Sequence, residues 1–451
     1  MISPARVAAY DVLLSLARGR RELASLLASI RPSVRDRRDY ALAAEIALGV
    51  ERHRSALDFF IDRTSTRPSD RLDPEVLTIL RLSVYQLLHL TRVPAAAIVD
   101  DAVQLTRRAG KSSASGLTNA VLRNISRRRG SLALPARPDD TSDREAALAY
   151  LSVTLSHPRW LAARWLDRVG LERAESWMRF NNQPAPVTLR LNSLRATREP
   201  LLEHLAGRDV AVRPGAWAPD ALVVTEGDAL ADRTDEGSFV VQDEASQLVA
   251  LLAGSRPGPR VLDACASPGG KTTAFAAASP ASSIVACDVR TRRMSLLAAT
   301  IAGTGATNVR LVQADLLKPL PFAPVFDVVG VDAPCSGLGT LRRDPDIRWR
   351  RMASELPAFA RAQRLMLGHA AAVVRPGGRL VYATCSSEPE ENEDVVRAFL
   401  ADAARFHPLD ARLAHGALSA ALVDGSGCLR TEPDRHGLEM FFGAVFGHKH
   451  E

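Results

Sequence analysis

Apolar residues recur at three- and four-residue spacing through the first 130 positions of the chain. This spacing predicts five helices, in VAAYDVLLSLA, DYALAAEIALGVERHRSALDFFI, PEVLTILRLSVYQLLHL, AAAIVDDAVQLTRRAG and GLTNAVLRNISRRR. The boundary residues agree, because Asp73-Pro74 opens the third segment and Gly110 and Gly130 lie at helix ends. We therefore expect an all-α bundle over residues 1–135, followed by the proline-containing linker SLALPARPDDTSD.

The pattern becomes mixed between residues 143 and 235. Helical spacing returns in AALAYLSV, PRWLAARWLDRV and ERAESWMRFN. It is followed by the strand-like PVTLRLNSL, a short helix around EPLLEHLAG and short strand-like pieces up to about residue 225. This stretch predicts a small α+β module.

Strand and helix patterns alternate over residues 236–451. Five apolar strands are predicted in VLDACA, IVACD, VRLVQAD, FDVVGVDAP and RLVYATCS, with helices over 271–278, 291–302 and 355–374. Such alternation is typical of an α/β domain with a parallel, doubly wound, Rossmann-like sheet. The stretch GLEMFFGAVF predicts an additional antiparallel strand at the edge of this sheet.

Composition indicates a soluble multidomain protein. The chain has 451 residues, of which 46% are hydrophobic and 24% are charged. The N-terminal stretch MISPARVAAYDVLL interrupts its short apolar run with a charge and lacks a cleavage site, so we expect a cytoplasmic protein with no membrane partner. The five cysteines form no C-x-x-C pair, so we expect neither disulfides nor a metal site.

Positive charge is concentrated near the N-terminus. Residues 1–140 contain 23 Lys and Arg against 15 Asp and Glu, whereas the rest of the chain contains 35 against 36. This excess favours a polyanionic partner for the helical block, with nucleic acid as the leading candidate. A solvated basic face on an arginine-rich protein is the alternative.

The loop after the first strand of the C-terminal domain includes Gly270-Lys271-Thr272, which suggests a nucleotide triphosphate site. A P-loop, however, requires a glycine five positions before Gly270, where this chain has Cys265. The adjacent Gly269 and Gly270 also do not match the spaced glycines of the dinucleotide fingerprint. We therefore expect this loop to bind a different ligand.

An aspartate follows each of the first four strands of this domain, namely Asp263, Asp288, Asp315 and Asp332. Ligands of doubly wound sheets bind outside the carboxyl ends of the strands. Carboxylates after the second and third strands suit ribose hydroxyls and an adenine amino group, and they would repel a triphosphate. S-adenosyl-L-methionine, which contains adenosine without phosphate, fits best, whereas a helix-capping role is the alternative for any single aspartate.

Two cysteines follow the fourth and fifth strands, Cys335 in DAPCSG and Cys385 in ATCS. A lone cysteine at such a position is usually a small buried hydrophobic residue. Two thiols that face one crevice, each beside a hydroxyl residue, favour nucleophilic chemistry.

These motifs together resemble the RNA cytosine-5 methyltransferases. The resemblance rests on DACASPGGKTT, on DAPCSGLGTLRRDPDIRW, and on YATCS with Glu388, Glu391 and Asn392 after it. LRLSVYQLLHLTRVPAAAIVDDAVQLTRRAG and GLTNAVLRNI are similar to a NusB-type RNA-binding domain. The pairing implies the bacterial RsmB/Sun type, which methylates a cytosine of 16S rRNA. We accordingly expect a monomer whose partner is 16S rRNA, either naked or within a small-subunit assembly intermediate.

The resemblance also implies roles for individual residues. In the family the cysteine after the fifth strand attacks C6 of cytosine and the DAPC cysteine assists release, which assigns these roles to Cys385 and Cys335. The residues alone leave this order open, and the reverse order of the DNA cytosine-5 methyltransferases is the alternative. Asp288 and Asp315 would hold the adenosine, and Asp332 would steady the cytosine edge beside the cofactor. The predicted cofactor loop consists of Cys265, Ala266, Ser267, Pro268, Gly269, Gly270 and Lys271, of which Lys271 is also a candidate catalytic residue.

Two other functions are consistent with parts of this pattern. A tRNA cytosine-5 methyltransferase would share the chemistry, but the NusB-like block favours rRNA. A non-catalytic RNA-binding or antitermination factor would not need both cysteines and all four aspartates. Departures from the family pattern are confined to Ser267, where alanine is usual, and to Leu438-Glu439-Met440 before the paired phenylalanines.

Overall fold

The computed structural model describes residues 2–19, 21–140, 142–231, 237–255 and 258–450. The chain divides into two compact units, which are Met1–Pro184 with Leu341–Ala353, and Ala185–Thr340 with Ser354–Glu451. The predicted domain boundary between residues 235 and 236 lies outside the described residues.

The N-terminal part of the first unit is helical. Its elements are α1 (Pro4–Ala17), α2 (Leu23–Ile30), α3 (Arg37–Thr64), α4 (Pro74–His89), α5 (Ala95–Arg108) and α6 (Ser115–Arg127). The five predicted helices are present, and their buried side chains form one core that includes Leu57, Leu80 and Leu122. The sequence analysis did not predict α2, although Leu23, Leu26, Leu27 and Ile30 follow helical spacing over its eight residues.

Two further helices complete this part of the chain. They are α7 (Arg144–Ala149), which continues into a π-helical turn at Tyr150–Thr154, and α8 (Arg159–Asn181). Gly170 interrupts α8 with φ 77° and ψ 170°, a left-handed φ that glycine adopts without a Cβ clash. This break separates the two helical segments expected from the sequence.

A small antiparallel sheet opens the second unit. Its elements are β1 (Thr188–Leu191), α9 (Arg198–Ala206), β2 (Ala211–Pro214), β3 (Ala221–Glu226) and β4 (Phe239–Val241). The strand order is β2-β3-β1-β4, and α9 packs Leu201 and Leu205 onto the sheet. Residues 239–241 were expected in the C-terminal domain, but β4 pairs with β1, since a three-residue strand has no pattern that selects its sheet.

The C-terminal part of the chain forms a larger sheet with helices on both faces. Its elements are α10 (Glu244–Leu251), β5 (Arg260–Asp263), α11 (Gly270–Ala278), β6 (Ser283–Asp288), α12 (Thr291–Thr304), β7 (Val309–Gln313), β8 (Phe326–Asp332), α13 (Ile347–Arg350), α14 (Leu356–Ala371), β9 (Val374–Thr384), α15 (Glu393–Asp402), β10 (Phe406–Leu409), β11 (Leu429–Arg430), α16 (Pro433–His436) and β12 (Phe442–His448). Among these, α13 lies in the segment that belongs to the first unit.

This larger sheet is mixed. Its order is β10-β12-β9-β8-β5-β6-β7, with β11 paired to β12, and the five predicted strands β5 to β9 are parallel. One core cluster contains residues of α10, α11 and α12, and a second contains residues of α14 and α15. The strand from GLEMFFGAVF is antiparallel to β9 as expected. It is not the edge strand, because β10 and β11 cover its outer side.

In the described ranges, no helix is both long and apolar enough to cross a membrane. Within that same part of the chain, no three His, Cys, Asp or Glu side chains are grouped so that they could hold a metal ion.

Candidate active site

The aspartates expected at one edge of the larger sheet lie at its carboxyl end. Asp263, Asp288 and Asp332 are the last residues of β5, β6 and β8. The strand β7 ends at Gln313, which is paired with Asp288, so that Asp315 follows two residues beyond the sheet. Since these strands are parallel, all four residues lie at the same end of the sheet.

The predicted cofactor loop crosses the end of β6. The Ala266 N–H donates to the Cys287 carbonyl at 2.8 Å, and the Ser267 N–H donates to Asp288 Oδ2 at 3.3 Å. Gly269 has φ +111°, and a Cβ at this position would lie 3.0 Å from Leu297 Cδ1. Glycine therefore allows the sharp turn after Pro268 from which α11 begins at Gly270.

The thiol of Cys265 lines this loop without contributing a charge. Burial, followed by the negative charges of Asp263, Asp332 and Asp288, raises the pKa of Cys265. The thiol therefore stays protonated near neutral pH.

Asp288 and Asp315 retain acceptor capacity that suits the hydroxyl and amino groups of adenosine. Asp288 is buried, and its contacts with the Ser267 N–H, the Arg290 N–H and Arg293 Nε are each 3.3 Å long. Asp315 Oδ1 accepts the Leu317 N–H at 3.0 Å, while its Oδ2 accepts no hydrogen bond from any described residue. An ionised carboxylate has about four lone-pair sites, so both side chains can accept further hydrogen bonds.

Lys271 joins the cofactor loop to the end of β8. Its Nζ donates to Asp332 Oδ2 at 2.6 Å and to Ser246 Oγ at 3.1 Å, and it lies 5.8 Å from the ring centroid of Phe441. The structure thus brings together Lys271 and Asp332, which were both predicted to be catalytic as well as cofactor-binding residues. Ser246 on α10 and Phe441 before β12 were not among the expected site residues, because neither belongs to a chemical motif.

Asp263 faces the interior of the fold. Its Oδ2 accepts the Thr272 hydroxyl at 2.6 Å, which fixes the first turn of α11. Burial raises the pKa of Asp263 to about 6, although the bond from Thr272 opposes this shift. The first of the four aspartates therefore bonds the start of α11 and is too deeply buried to meet a ligand.

Cys335 and Cys385 lie side by side, with their Sγ atoms 3.1 Å apart. The backbone joins the two loops, because the Ala333 N–H donates to the Ala383 carbonyl and the Gly339 N–H donates to the Cys385 carbonyl. The hydrogen bond to Cys385 and then burial raise the pKa of Cys335. Either sulfur can be the donor in this contact.

Arg190 supports the cofactor loop from the small sheet. Its guanidinium donates to Gln242 Oε1 at 2.8 Å, to the Gly270 carbonyl and to Thr273 Oγ1 at 2.6 Å. Burial lowers the pKa of Arg190 to about 10, so it stays charged near neutral pH. No motif in the sequence indicated this contact, since an isolated arginine in a short strand has no distinguishing pattern.

The stretch LRRDPDIRW, which contributes to the family resemblance, belongs to the first unit rather than to the sheet edge. Arg348 is fully buried there and donates to Asn182 Oδ1 at 2.7 Å and to the Ser156 carbonyl at 3.2 Å. Trp349 Nε1 donates to the Glu51 carbonyl at 2.8 Å. These side chains anchor the segment in the first unit.

The first unit also has a basic groove between α5 and α6. Its volume is about 860 Å³, and its lining includes Arg107, Arg123 and Arg127, with Asp100 as the acidic member. All three arginines are exposed to solvent. The groove thus presents a net positive surface within the N-terminal charge excess.

Family comparisons divide the chain into three regions. Residues 250–447 match the 16S rRNA methyltransferase RsmB/F family, and residues 3–127 match the NusB family. Residues 157–230 match the ferredoxin-like domain of RsmF/B-like methyltransferases.

Individual proteins match over most of their length. The chain is 32% identical over 371 residues, 81% of each chain, to the probable ribosomal RNA small subunit methyltransferase B of Bacillus subtilis. It is 33% identical over 414 residues, which are 90% of this chain and 88% of the relative, to the ribosomal RNA small subunit methyltransferase B of Pseudomonas syringae pv. tomato. The crystal structure of PH0851 superposes with a TM-score of 0.81 at 25% identity and 99% coverage of both chains.

Proposed function

The chain belongs to the RsmB/F family of S-adenosylmethionine-dependent 16S rRNA methyltransferases, and on this premise we propose that it methylates C5 of a cytosine in 16S rRNA through a covalent Cys385 adduct. The observation that carries the proposal is the 3.1 Å separation of the Cys335 and Cys385 sulfurs. This pair follows β8 and β9 at the carboxyl edge of the sheet, the edge that also carries Asp288 and Lys271.

Two thiols suit this reaction because cytosine C5 is too weak a nucleophile to take a methyl group unaided. The Cys385 thiolate adds to C6, which forms an S–C6 bond and makes the ring an enamine that is nucleophilic at C5. C5 would then take the methyl group that S-adenosylmethionine supplies as an electrophile, with the sulfonium–methyl bond broken and S-adenosylhomocysteine as the leaving group. Loss of the C5 proton to water restores the ring double bond, breaks the S–C6 bond and releases Cys385 as a thiolate.

The raised pKa of Cys335 supports the proposed order of the two cysteines. A protonated Cys335 donates its S–H to Cys385, which stabilises a thiolate at Cys385 both before attack and upon release. The reverse order would make Cys335, whose pKa is raised, the nucleophile. Since the thiolate is the reactive form of cysteine, the raised pKa of Cys335 favours Cys385 as the nucleophile.

Neighbouring side chains have supporting roles in the proposal. Asp332 steadies the cytosine edge while Lys271 balances its charge at 2.6 Å. Asp288 and Asp315 accept hydrogen bonds from the adenosine of the cofactor, together with the backbone of residues 265–270. All of these groups come from strand ends or from the loop that follows β5.

The charge of the first unit supports RNA as the partner. The exposed arginines of the α5–α6 groove can contact phosphates, which supply most of the affinity of proteins for nucleic acid. The names of the relatives specify small-subunit rRNA, which favours 16S rRNA over tRNA as the substrate. We also propose that the protein acts as a monomer.

Mapping of 5-methylcytosine by bisulfite sequencing tests this function. We expect one cytosine of 16S rRNA to lose its methyl group when the gene is deleted and to regain it when the gene is restored. Loss of methylation in tRNA alone would identify a tRNA methyltransferase. Unchanged methylation in both RNAs would leave a non-catalytic RNA-binding protein as the better interpretation.

A further inference from the structure

Glu391 is a fully buried carboxylate between the loops that follow β8 and β9. Its Oε1 accepts the Ser336 N–H at 2.8 Å and the Gln363 side-chain amide at 2.9 Å. Its Oε2 accepts the hydroxyls of Ser336 and Ser386, each at 2.5 Å. Four donors therefore occupy the two oxygens, and no Lys, Arg or His pairs with Glu391 among the described residues.

The two serines directly follow the two cysteines. Ser336 comes after Cys335 and Ser386 comes after Cys385, so one carboxylate oxygen bonds the neighbours of both sulfurs. The serine hydroxyls also lie 3.1 Å from each other, the same separation as the sulfurs. The Glu391 carboxylate therefore bonds the residue next to each sulfur, at a point where the two loops are in contact.

The backbone around Glu391 is itself held in place. The Tyr382 hydroxyl, on β9, donates to the Glu391 carbonyl at 2.6 Å. The Asn392 side chain accepts the Thr384 hydroxyl at 2.5 Å and donates to the Ser386 carbonyl at 3.0 Å. Because the carboxylate is anchored to β9, it can fix the position of the Cys335 loop relative to that strand.

We propose that Glu391 is a positioning residue that sets the distance between the Cys335 and Cys385 sulfurs by bonding both loops at once. It does not touch the reacting atoms, and it acts through Ser336 and Ser386. Its significance for catalysis rests on the proposed function, in which a Cys335 thiol adjacent to Cys385 assists release. Its effect on the spacing of the sulfurs does not depend on any reaction with RNA.

Replacing Glu391 with glutamine removes the negative charge of the side chain but keeps its shape. A glutamine oxygen can accept from the Ser336 N–H and Gln363, while its amide group donates to the two serine hydroxyls, which can also accept hydrogen bonds. The network can therefore be kept in Glu391→Gln. In Glu391→Ala the buried donors of Ser336 and Gln363 lose their acceptor, which releases the loops from each other.

Oxidative crosslinking of the two cysteines measures their spacing directly. Diamide takes two electrons and two protons from the thiol pair and leaves a Cys335–Cys385 disulfide, which mass spectrometry of the full-length protein quantifies over time. The variants are Glu391→Ala, Glu391→Gln and Ser336→Ala/Ser386→Ala. Asp394→Ala is the matched control, because it removes an exposed carboxylate from the following helix.

We expect the crosslinking rate to fall about tenfold in Glu391→Ala, in line with the loss of one buried hydrogen-bond network, and to recover most of its wild-type value in Glu391→Gln. The crosslinking rate of the double serine variant should fall as much as that of Glu391→Ala. The double serine variant therefore tests the proposal even if Glu391→Ala does not fold. Asp394→Ala should crosslink at the wild-type rate. The proposal would be overturned if both Glu391→Ala and the double serine variant crosslinked at the wild-type rate. If Glu391→Ala is unfolded, a wild-type rate in the double serine variant would be enough to overturn it.

Methyl transfer to a 16S rRNA fragment provides the second readout. Glu391→Ala should lower kcat while the KM for S-adenosylmethionine stays within a factor of about two, since the adenosine contacts lie on other strands. If wild-type protein produced no 5-methylcytosine while crosslinking still depended on Glu391, the proposed function would fail and the positioning role would stand. Full activity together with unaltered crosslinking in the variants would reject the positioning role and leave the proposed function intact.

Discussion

Lys271 Nζ lies 2.6 Å from Asp332 Oδ2, and this contact joins the loop after β5 to the strand end that precedes Cys335. The lysine side chain is 12% exposed and the aspartate side chain is 33% exposed. The pair is therefore shielded enough from solvent for each charge to be stabilised by the other. The aspartate is still exposed enough to contact a substrate.

A double-mutant cycle measures this dependence. Lys271→Met and Asp332→Asn should each lower methyl transfer, because each leaves the remaining charge without its partner. The double variant should be little worse than the more damaged single variant, with a coupling free energy of about 1–2 kcal/mol. Single-turnover assays with a 16S rRNA fragment provide the rates. Strictly additive losses would show that the two side chains act independently.

The two cysteines should behave differently when each is replaced. In the proposed mechanism Cys385→Ala lacks the nucleophile for the S–C6 bond, so methyl transfer should cease and no protein–RNA species should resist boiling in detergent. Cys335→Ala retains the nucleophile but loses the S–H that assists release, so a covalent protein–RNA complex should accumulate during turnover. Denaturing gel electrophoresis after incubation with S-adenosylmethionine distinguishes them. A stable band from Cys385→Ala alone would reverse the assignment of the two cysteines.

Gly339 allows the Cys335 loop to approach the strand end at Cys385. A Cβ at this position would lie 2.0 Å from the Met440 carbonyl oxygen and 2.8 Å from the Cys385 carbonyl oxygen. Gly339→Ala should therefore displace Cys385 and reduce methyl transfer by about a hundredfold, the effect expected for a misplacement near 1 Å. Cofactor affinity, measured by calorimetry, should change little.

Gly368→Ala is the matched control for this substitution. Gly368 lies in α14, and a Cβ there would meet no atom within 4 Å. Alanine should leave activity unchanged and stabilise the helix by about 1 kcal/mol. Equal activity of the two alanine variants would contradict the requirement for a close approach at Gly339.

The buried Asp263 predicts a pH-dependent change in stability. Burial raises its pKa from 3.8 to about 6, so its ionised form opposes folding above pH 6, and this penalty disappears as the pH falls below 3.8. Asp263→Asn is neutral at every pH, and its amide can donate to the Thr272 hydroxyl. It should raise the free energy of unfolding by at most about 3 kcal/mol at pH 8, with a gain that shrinks between pH 6 and pH 4.

Thermal denaturation of the cofactor-free protein across this pH range gives the measurement. A variant that is less stable than the wild type at pH 8 would show that the ionised carboxylate stabilises the loop. A gain that does not change with pH would show that Asp263 does not titrate in this range.

Periodicity alone predicted most of the elements. The helices α1, α3, α4, α5 and α6 and the strands β5 to β9 were recognised because each is long or apolar enough to repeat its pattern. The three-residue β4 is too short to do so, whereas α2 was missed although its apolar residues follow helical spacing. The domain limits at residues 135 and 143 remain predictions, since no observation on the described residues tests them.

The sequence also determined which chemical groups reach the sheet edge. Asp288 and Asp332 end strands, Cys385 directly follows one and Cys335 lies three residues beyond one, and parallel strands place their carboxyl ends together. Motifs around these residues indicated the family, and the expectation of S-adenosylmethionine agrees with family membership. The roles of individual residues, including those of the two cysteines, remain proposals for the experiments above.

How these groups meet depends on the packing of distant segments. The contact of Lys271 with Asp332, the support of the cofactor loop by Arg190 and the bonds of Glu391 to both cysteine loops join residues that are distant in the sequence. Burial also removed Asp263 from the ligand edge and left Arg348 anchored in the first unit. A repeating pattern reports the local environment of a segment, whereas long-range hydrogen bonds depend on how separate segments pack, which no local pattern encodes.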